Sequence, residues 1–202
     1  MDFSNGIIVL VILIFSAILH EVAHGYVADK LGDPTARLLG RLTLNPQKHI
    51  DPMMSIALPL LLILSNSPVI FGAAKPVPID PFNLKEGRKD VAIVSLAGPL
   101  TNVLIAVLAA VILRLLNLEP SILSSLLFSI VQINLLLAIF NLLPIPPLDG
   151  SKIFSLLLPE RQANTYLSFG SIGFFVIFFL LISGYGEFIF NLLNYAQNLL
   201  LP

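Results

Sequence analysis

The sequence contains no cysteine and few charged residues. Without thiols, disulfide bonds and thiolate metal ligands are both excluded, so His, Asp and Glu are the strong metal ligands that remain. Charged residues make up 11% of the 202 residues, whereas soluble domains have about 25%, and 56% of the chain is hydrophobic. The net charge of −1 gives no reason to expect nucleic-acid binding. The composition therefore predicts an integral membrane protein.

Apolar segments long enough to span a bilayer occur along the whole chain. The first, residues 6–28, follows no basic region and precedes no small-residue cleavage pattern, so we expect a retained transmembrane helix rather than a signal peptide. The further apolar segments are 52–71, 91–116, 121–143, 164–183 and a shorter one at 187–201. The sequence shows no internal repeat and no separate soluble domain. We expect an all-α polytopic membrane protein, one domain over residues 1–202 with about five to six membrane segments.

Lysine and arginine are concentrated in two polar segments, residues 29–51 and 73–90. Short loops rich in these residues face the cytoplasm, so both segments should lie on that side. A single crossing by residues 52–71 would place them on opposite sides, and this stretch contains prolines. We therefore expect a re-entrant or interfacial hairpin at 52–71. For the proline-containing residues 71–80 we expect a short extended ribbon at the membrane surface.

The motif HEVAH lies near the end of the first predicted helix. His20 and His24 are four residues apart, so both imidazoles lie on one helix face and can reach one metal ion. Glu21 can contact a water at that metal, which is the H-E-x-x-H arrangement of zinc hydrolases with Glu as general base. A polar helix end is the alternative interpretation. It is disfavoured because a charged side chain within a spanning helix costs about 2.5–3.5 kcal/mol.

The third zinc ligand cannot be read from the motif itself. Catalytic zinc has three protein ligands and an open position, and no further histidine follows HEVAH at metal-binding spacing. The candidates are His49, Asp149 and, with less support, Asp29 and Asp51. Asp149 follows a proline-rich run at the inner end of the predicted helix 121–143, at the depth of the histidines. An Asp before Gly is also typical of a turn or helix cap, so the residues alone leave the choice open.

Three motifs in order along the chain resemble the site-2 protease family of intramembrane zinc metalloproteases. They are HEVAH, SLAGPLTNVLIA (95–106) and NLLPIPPLDG (141–150). The resemblance covers about residues 6–155, the expected catalytic core, and excludes the C-terminal helices at 164–201. LTLNPQKHIDP and FGAAKPVP are similar to a compact bacterial or archaeal branch without PDZ or CBS domains. The resemblance implies that His20, His24 and Asp149 bind zinc and that Glu21 activates water.

Other polar residues lie in or beside the apolar helices. Asn102 and Asn141 are candidates for contacting the oxyanion or an unwound substrate, with interhelical hydrogen bonding as the alternative. For Asn134 we expect only interhelical hydrogen bonding. His49, in a basic loop, is interpreted most simply as solvated or facing lipid headgroups. A role for His49 in substrate or metal binding is the alternative.

These observations predict a zinc metalloendopeptidase that hydrolyses peptide bonds in transmembrane segments near the cytoplasmic face. Its substrate would be a single-pass transmembrane protein or peptide, and its surroundings the lipid of a bacterial or archaeal cell membrane. The ribbon at 71–80 could capture the unwound substrate by strand addition. The alternative function is a zinc transporter or metal sensor, since intramembrane histidines and acids also line ion pathways. The sequence is compatible both with a homo-oligomer and with a regulatory membrane partner.

Overall fold

The computed structural model describes residues 3–65, 74–117, 119–182 and 186–201. This part of the chain is helical and contains no β-strand. Its α-helices are α1 (Phe3–Leu31), α2 (Thr35–Leu38), α3 (Leu58–Leu64), α4 (Arg88–Leu116), α5 (Ile122–Asn141), α6 (Asp149–Phe154), α7 (Glu160–Ser168), α8 (Gly170–Ile182) and α9 (Glu187–Leu200). A π-helical segment, Pro52–Ala57, precedes α3, and short 3₁₀ turns occupy Pro46–Lys48, Pro81–Asn83 and Ser155–Leu157. The predicted all-α class is confirmed.

Three of these helices are long and apolar enough to cross a bilayer: α1, α4 and α5. A helix of 29 residues, the length of α1 and of α4, is about 43 Å long, which exceeds the ~30 Å hydrocarbon core of a bilayer. The predicted spans at 6–28, 91–116 and 121–143 therefore correspond to observed helices. The chain has the helices of an integral membrane protein.

Helix α4 packs antiparallel to both α1 and α5. On α1 the residue order His20, His24 meets the reversed order Asn102, Val94 on α4, and a short connection leads from α4 into α5. The small side chains of the alanines of α4 allow its backbone to lie close to that of α5. The buried cluster between α4, α5 and α9 consists of Ala106, Ala109, Ala110, Leu113, Leu127, Val131, Leu135 and Leu193.

The predicted hairpin at 52–71 has both of its flanks at the same place. The Lys75 N–H donates to the His49 carbonyl at 2.7 Å, so the chain after the segment returns to the point where it left. Ser55 and Ala74 line one small cavity with His49 and with α1. This contact between the two flanks agrees with the predicted re-entrant segment. Residues 66–73 of the predicted hairpin and ribbon lie outside the described residues.

One sequence prediction outside the site differs from the structure. The apolar stretch 164–183 is not one helix, because the chain breaks at Phe169 between the polar α7 and the apolar α8. Residues 74–80 of the predicted ribbon are non-helical, as predicted, and are paired with no strand in the described part of the chain. They are attached to the rest of the protein by individual hydrogen bonds instead, as described below.

The buried carboxylate of Asp33 joins the loop after α1 to the loop before α4. It accepts hydrogen bonds from the Thr35 N–H at 3.1 Å, the Asp80 N–H at 2.7 Å and the Asn83 side-chain amide at 3.0 Å, and also from the Thr35 hydroxyl. Burial alone would raise the pKa of this carboxyl. The four donors outweigh burial and hold the pKa of Asp33 below its ordinary value.

Asp33→Asn is expected to destabilise the protein at neutral pH and to weaken its acid sensitivity. Losing hydrogen bonds to a charged acceptor costs about 1.5–3 kcal/mol of unfolding free energy. Because the pKa of Asp33 is lower in the folded state, the ionised carboxylate contributes to the free energy of unfolding above the unfolded pKa. This contribution is lost as the pH falls through the folded pKa. Thermal unfolding in detergent at neutral and acidic pH measures this effect. Equal pH dependence in the wild type and the variant would contradict it.

Candidate active site

Three of the predicted site residues converge in the membrane domain. His20 and His24 of α1 meet Asp149, the first residue of α6, and one ligand atom from each lies within 4.8 Å of the others. The Asp149 Oδ2 atom is 3.2 Å from His20 Nε2 and 3.1 Å from His24 Nε2, and the two Nε2 atoms are 3.0 Å apart. All three side chains are buried. A long-range contact thus brings α6 to the HEVAH face of α1.

The remaining ring nitrogens of both histidines are held by α4. The His20 Nδ1–H donates to Asn102 Oδ1 at 2.6 Å, and the His24 Nδ1–H donates to the Val94 carbonyl at 2.7 Å. With Nδ1 protonated, the Nε2 atom of each neutral imidazole carries a lone pair. Two imidazole lone pairs and a carboxylate oxygen therefore face one another at about hydrogen-bond distance with no proton between them. This arrangement of acceptors is stabilised by a cation.

The donor set and its spacing fit zinc. Zn²⁺ binds imidazole nitrogen and carboxylate oxygen, and tetrahedral ligand atoms at ~2.0–2.1 Å from the metal are about 3.3 Å from each other. The three ligand–ligand distances, 3.0 to 3.2 Å, are close to this value. Three protein ligands leave the fourth position open, which is the arrangement of catalytic rather than structural zinc sites.

Gly98 of α4 keeps the space beside the ligand atoms free. A Cβ atom at this position would lie 2.4 Å from His24 Nε2 and 2.5 Å from His20 Nε2. Both distances are below any van der Waals contact, so any side chain at residue 98 would occupy the space of the metal centre. Glycine in the middle of a helix is unfavourable by about 0.5–1 kcal/mol relative to alanine, and the close approach explains its presence here.

The carboxylate of Asp149 is oriented by charge and by the packing of α6. Lys152, three residues along α6, places its Nζ atom 3.2 Å from Asp149 Oδ1, which leaves Oδ2 for the histidines. The positive charge of Lys152 beside this buried carboxyl favours its ionised form, which is the form that binds a metal ion. Arg88 of α4 donates to the carbonyls of Ser155 and, at 3.0 Å, Leu158, which anchors α6 and the turn after it to α4.

Glu21, the predicted general base, lies beside the cluster and takes no part in it. Its Oε2 atom accepts a hydrogen bond of 2.7 Å from the Val77 N–H, in the irregular segment 74–80. Glu21 and His24 are three residues apart and therefore lie on neighbouring turns of one helix face. The carboxylate is half-buried, so one of its oxygens is fixed by the backbone while the side chain stays accessible to water.

A chain of buried amides extends from the ligand His20 into the bundle. Asn102, which accepts from His20, donates through Nδ2 to Asn134 Oδ1 at 2.8 Å, and Asn134 donates to Ser16 Oγ at 2.9 Å and to the Ile130 carbonyl at 2.9 Å. Asn134 thus makes the interhelical bonds expected of it. Both polar groups of Asn102 are engaged inside the protein, so contact with an oxyanion would require it to exchange a partner.

The other candidates lie away from the metal cluster. Asn141 donates to the Leu137 carbonyl of its own helix at 2.9 Å, and its predicted substrate contact stays a prediction. Asp29 pairs with Arg37, and Asp51 caps the π-helical segment. The interpretation of His49 as solvated is wrong, because its side chain is fully buried and bonded through Nε2 to the Thr43 carbonyl at 2.8 Å. The basic loop sequence suggests that His49 is exposed, but the hydrogen bond to Thr43 allows its side chain to be buried.

Several residues of the site were not found from the sequence. Gly98 carried a signal, since a glycine inside a helical pattern indicates close packing. Lys152 also carried one, at the i+3 position from a candidate ligand. No sequence signal marked the Val94 carbonyl or the Val77 N–H, because nearly every residue has the same backbone groups.

Comparisons with known proteins agree with this geometry. A family model described as peptidase family M50 matches residues 116–184. YwhC of Bacillus subtilis, named "Putative zinc metalloprotease", is 38% identical over 188 residues that cover 89% of this chain and 82% of that protein. The chain belongs to peptidase family M50. Rip2 of Mycobacterium tuberculosis and Rip2 of Mycolicibacterium smegmatis, which carry the same description, are 33% and 34% identical and are covered to 67% and 68% of their length. No solved structure matches the chain.

Membership of family M50 confirms the resemblance to site-2 proteases and the metalloprotease class. The M50 relatives are named as zinc metalloproteases, which agrees with the predicted Zn²⁺ cofactor. The M50 family model matches α5, Asp149 and α6, while HEVAH lies outside the matched residues. The structure is what brings HEVAH and Asp149 of this M50 chain together.

Asn102→Ala is expected to weaken zinc binding by roughly 10–100-fold, because groups that orient a ligating histidine have effects of this size. Losing Asn102 also leaves the buried Asn134 without one of its partners. Competition with a chromophoric zinc chelator in detergent measures the affinity. Zinc affinity equal to that of the wild type together with a lower kcat would instead assign Asn102 to the oxyanion.

Proposed function

We propose that this chain is an intramembrane zinc endopeptidase that hydrolyses peptide bonds within the transmembrane segment of a single-pass protein. The convergence of His20, His24 and Asp149 beside Glu21 is the observation that carries the proposal. The ligands lie on and beside a helix long enough to span the bilayer, so a water-soluble substrate would have little access to them.

The position of the site along α1 favours cleavage near one face of the membrane. His24 is seven residues before the end of α1 at Leu31, which is about 10 Å along the helix axis. The polar segments beyond this end carry most of the lysine and arginine of the chain. By the positive-inside rule this face is the cytoplasmic side of a cell membrane. The site lies close enough to this face for water to enter it.

His20, His24 and Asp149 would hold the zinc ion. When bound, Zn²⁺ supplies Lewis acidity and makes a water molecule acidic enough to attack near neutral pH. Glu21 takes the proton of the attacking water and passes it to the nitrogen of the leaving amine. Lys152 and Asn102 hold the ligands Asp149 and His20 in orientation.

Strand addition receives little support from the hydrogen bonding of residues 74–80, the part of the predicted ribbon that the structure describes. Pro76 and Pro78 have no N–H, and the amides of Lys75 and Val77 already donate within the protein. Arg41 donates to the carbonyls of Lys75 and Pro76 at 3.0 and 3.2 Å. An incoming strand would therefore find few donors. We propose instead that the substrate reaches the space beside His20, His24 and Asp149 from the membrane after its helix unwinds.

Cleavage of a reconstituted model substrate tests this function. The purified protein is placed in vesicles with a single-span peptide whose apolar segment carries a Gly-Pro break, and the products are mapped by mass spectrometry. We expect a cut inside the apolar segment, toward the face that bears the basic loops, and its loss on treatment with a zinc chelator. A soluble peptide containing the same bond is the control and should be cut far more slowly.

Two results would overturn the proposal. Cleavage of the soluble peptide alone would show a peptidase that does not act within the membrane. Zinc entry into the vesicles without cleavage of either peptide would show a transporter. Homo-oligomers or a regulatory membrane partner, if required, would appear as activity that depends on protein density in the vesicles or on added membrane extract.

A further inference from the structure

The carboxylate of Glu21 has a single hydrogen-bond partner in the part of the chain that the structure describes. That partner is the Val77 N–H, 2.7 Å from Glu21 Oε2. A short bond from an N–H to a carboxylate is charge-assisted and about twice as strong as a neutral one. One oxygen of the proposed general base is therefore tied to a backbone segment that lies far from it in sequence.

The segment that carries this amide is fastened on both sides of Val77. Before it, the Lys75 N–H donates to the His49 carbonyl at 2.7 Å. After it, the Asp80 N–H donates to the buried carboxylate of Asp33 at 2.7 Å. Val77 stands between Pro76 and Pro78, whose rings fix φ and reduce the freedom of the chain. The segment is thus held in place by bonds that do not involve Glu21.

The surface of α1 is shaped to receive Val77. Gly25 is one helical turn after Glu21, and a Cβ atom there would lie 2.8 Å from Val77 Cγ1 and 2.8 Å from Leu42 Cδ2. Because residue 25 has no side chain, the segment lies directly against the helix, and the Val77 side chain is buried. The close approach brings the Val77 N–H within bonding distance of the carboxylate one turn away.

We propose that the Val77 amide is a positioning donor that holds Glu21 in the orientation needed to take a proton from the attacking water. This inference rests on the proposed function, because it concerns the same reaction. The bond engages Oε2 and leaves Oε1 for the proton transfer. Without the amide, the Glu21 side chain loses its fixed rotamer, and the general base is misplaced although the metal ligands are intact.

A proline scan within the segment tests the proposal. Val77→Pro removes the donor, and Ile79→Pro is the matched control, since the Ile79 amide donates no hydrogen bond in the described chain. Both positions already follow a proline, so the restriction on the preceding residue is similar. In the vesicle assay, Val77→Pro should lower kcat by roughly 10–100-fold, the effect of misplacing a reacting group. Its KM and zinc content should be unchanged. Ile79→Pro loses packing against Ala28, Leu84 and Val94, so its kcat should fall, but much less than that of Val77→Pro.

A second pair of variants guards against a folding defect in Val77→Pro. Gly25→Ala should displace Val77 and lower kcat, and the double variant Gly25→Ala with Val77→Ala should regain part of the activity because the shortened side chain makes room. Val77→Ala alone keeps the amide, so its kcat should fall much less than that of Val77→Pro. Rescue of this kind is not expected of a variant that is merely unstable.

The contact is also measured without turnover. Protein labelled with carbonyl-¹³C proline and ¹⁵N valine gives correlated amide signals only for valines that follow proline, which are Val69 and Val77. The Val77 signal, assigned by its loss in Val77→Ala, should shift upfield in Glu21→Ala, as the charged acceptor is removed.

Four outcomes would overturn the inference. They are an unchanged kcat in Val77→Pro, a raised kcat that marks the segment as a gate, a raised KM that marks it as a substrate-binding strand, and a Val77 signal that does not respond to Glu21→Ala. A wild type that cleaves no membrane peptide while the signal does respond would overturn the proposed function itself, with the contact intact.

Discussion

Replacing Glu21 with glutamine is expected to leave zinc bound and to reduce cleavage by roughly 10²–10⁴-fold, the contribution of a general base. Glu21 does not belong to the cluster of His20, His24 and Asp149, so its substitution removes no metal ligand. Glutamine has nearly the same size and can still accept the Val77 N–H through its amide oxygen. It cannot take up a proton. Metal analysis of the purified variant and the vesicle assay measure the two effects separately.

Asp149→Ala is the comparison for this experiment. It removes a ligand atom that lies 3.1 and 3.2 Å from the two histidine nitrogens, so zinc content and cleavage should fall together. The contrast between the two variants separates a residue that binds the metal from one that moves a proton. Turnover retained in Glu21→Gln would remove the general-base role, and zinc lost in that variant would make Glu21 a ligand.

The parts of the site that the sequence predicts depend on short-range geometry. Helical periodicity alone places His20 and His24 on one face, and no other element has to be known for this to hold. The spans of α1, α4 and α5 follow similarly from continuous apolar sequence. The re-entrant position of 52–71 was inferred from charge in the flanking loops, and the contact between Lys75 and His49 agrees with it.

The parts that were missed depend on contacts between distant segments. From the residues alone, Asp149 was one of four candidates for the third ligand. It lies 129 residues from His20 in sequence, and only the packing of α6 against α4 brings the two side chains together. His49 was taken for a solvated residue, since composition does not show that its side chain is buried beside α1. The break between α7 and α8 was missed because residues 162–183 contain no charged residue and no proline that would mark a helix end.

The hydrogen bonds around the site have a common arrangement. Each group assigned to the chemistry is held by a second element: His20 and His24 by α4, Asp149 by Lys152 and the anchored α6, and Glu21 by Val77. Within a bilayer an unpaired polar group costs several kcal/mol, so these partners satisfy the site as well as orient it. The same bonds therefore serve insertion and catalysis.

Gly98→Ala is expected to abolish zinc binding and, with it, cleavage. The added Cβ atom would lie 2.4 and 2.5 Å from the Nε2 atoms of His24 and His20, and 2.6 Å from His20 Cε1. One of two things must then shift, the histidine rings or α4, and either movement separates the lone pairs that form the site. The helix itself gains, because alanine is favoured over glycine within a helix by about 0.5–1 kcal/mol. Loss of metal without loss of helicity is thus the expected result, measured by metal analysis and circular dichroism.

Gly25→Ala is the matched control, because it adds the same methyl group to a buried glycine of a long helix near the site. Its Cβ atom would meet Leu42, Val77 and Ala36, none of which is a metal ligand, so this variant should keep its zinc while its kcat falls. A Gly98→Ala protein that binds zinc with wild-type affinity would show that the histidine nitrogens do not face α4 at this point. Equal loss of zinc in both variants would attribute the effect to general disruption of helix packing rather than to the space beside the ligands.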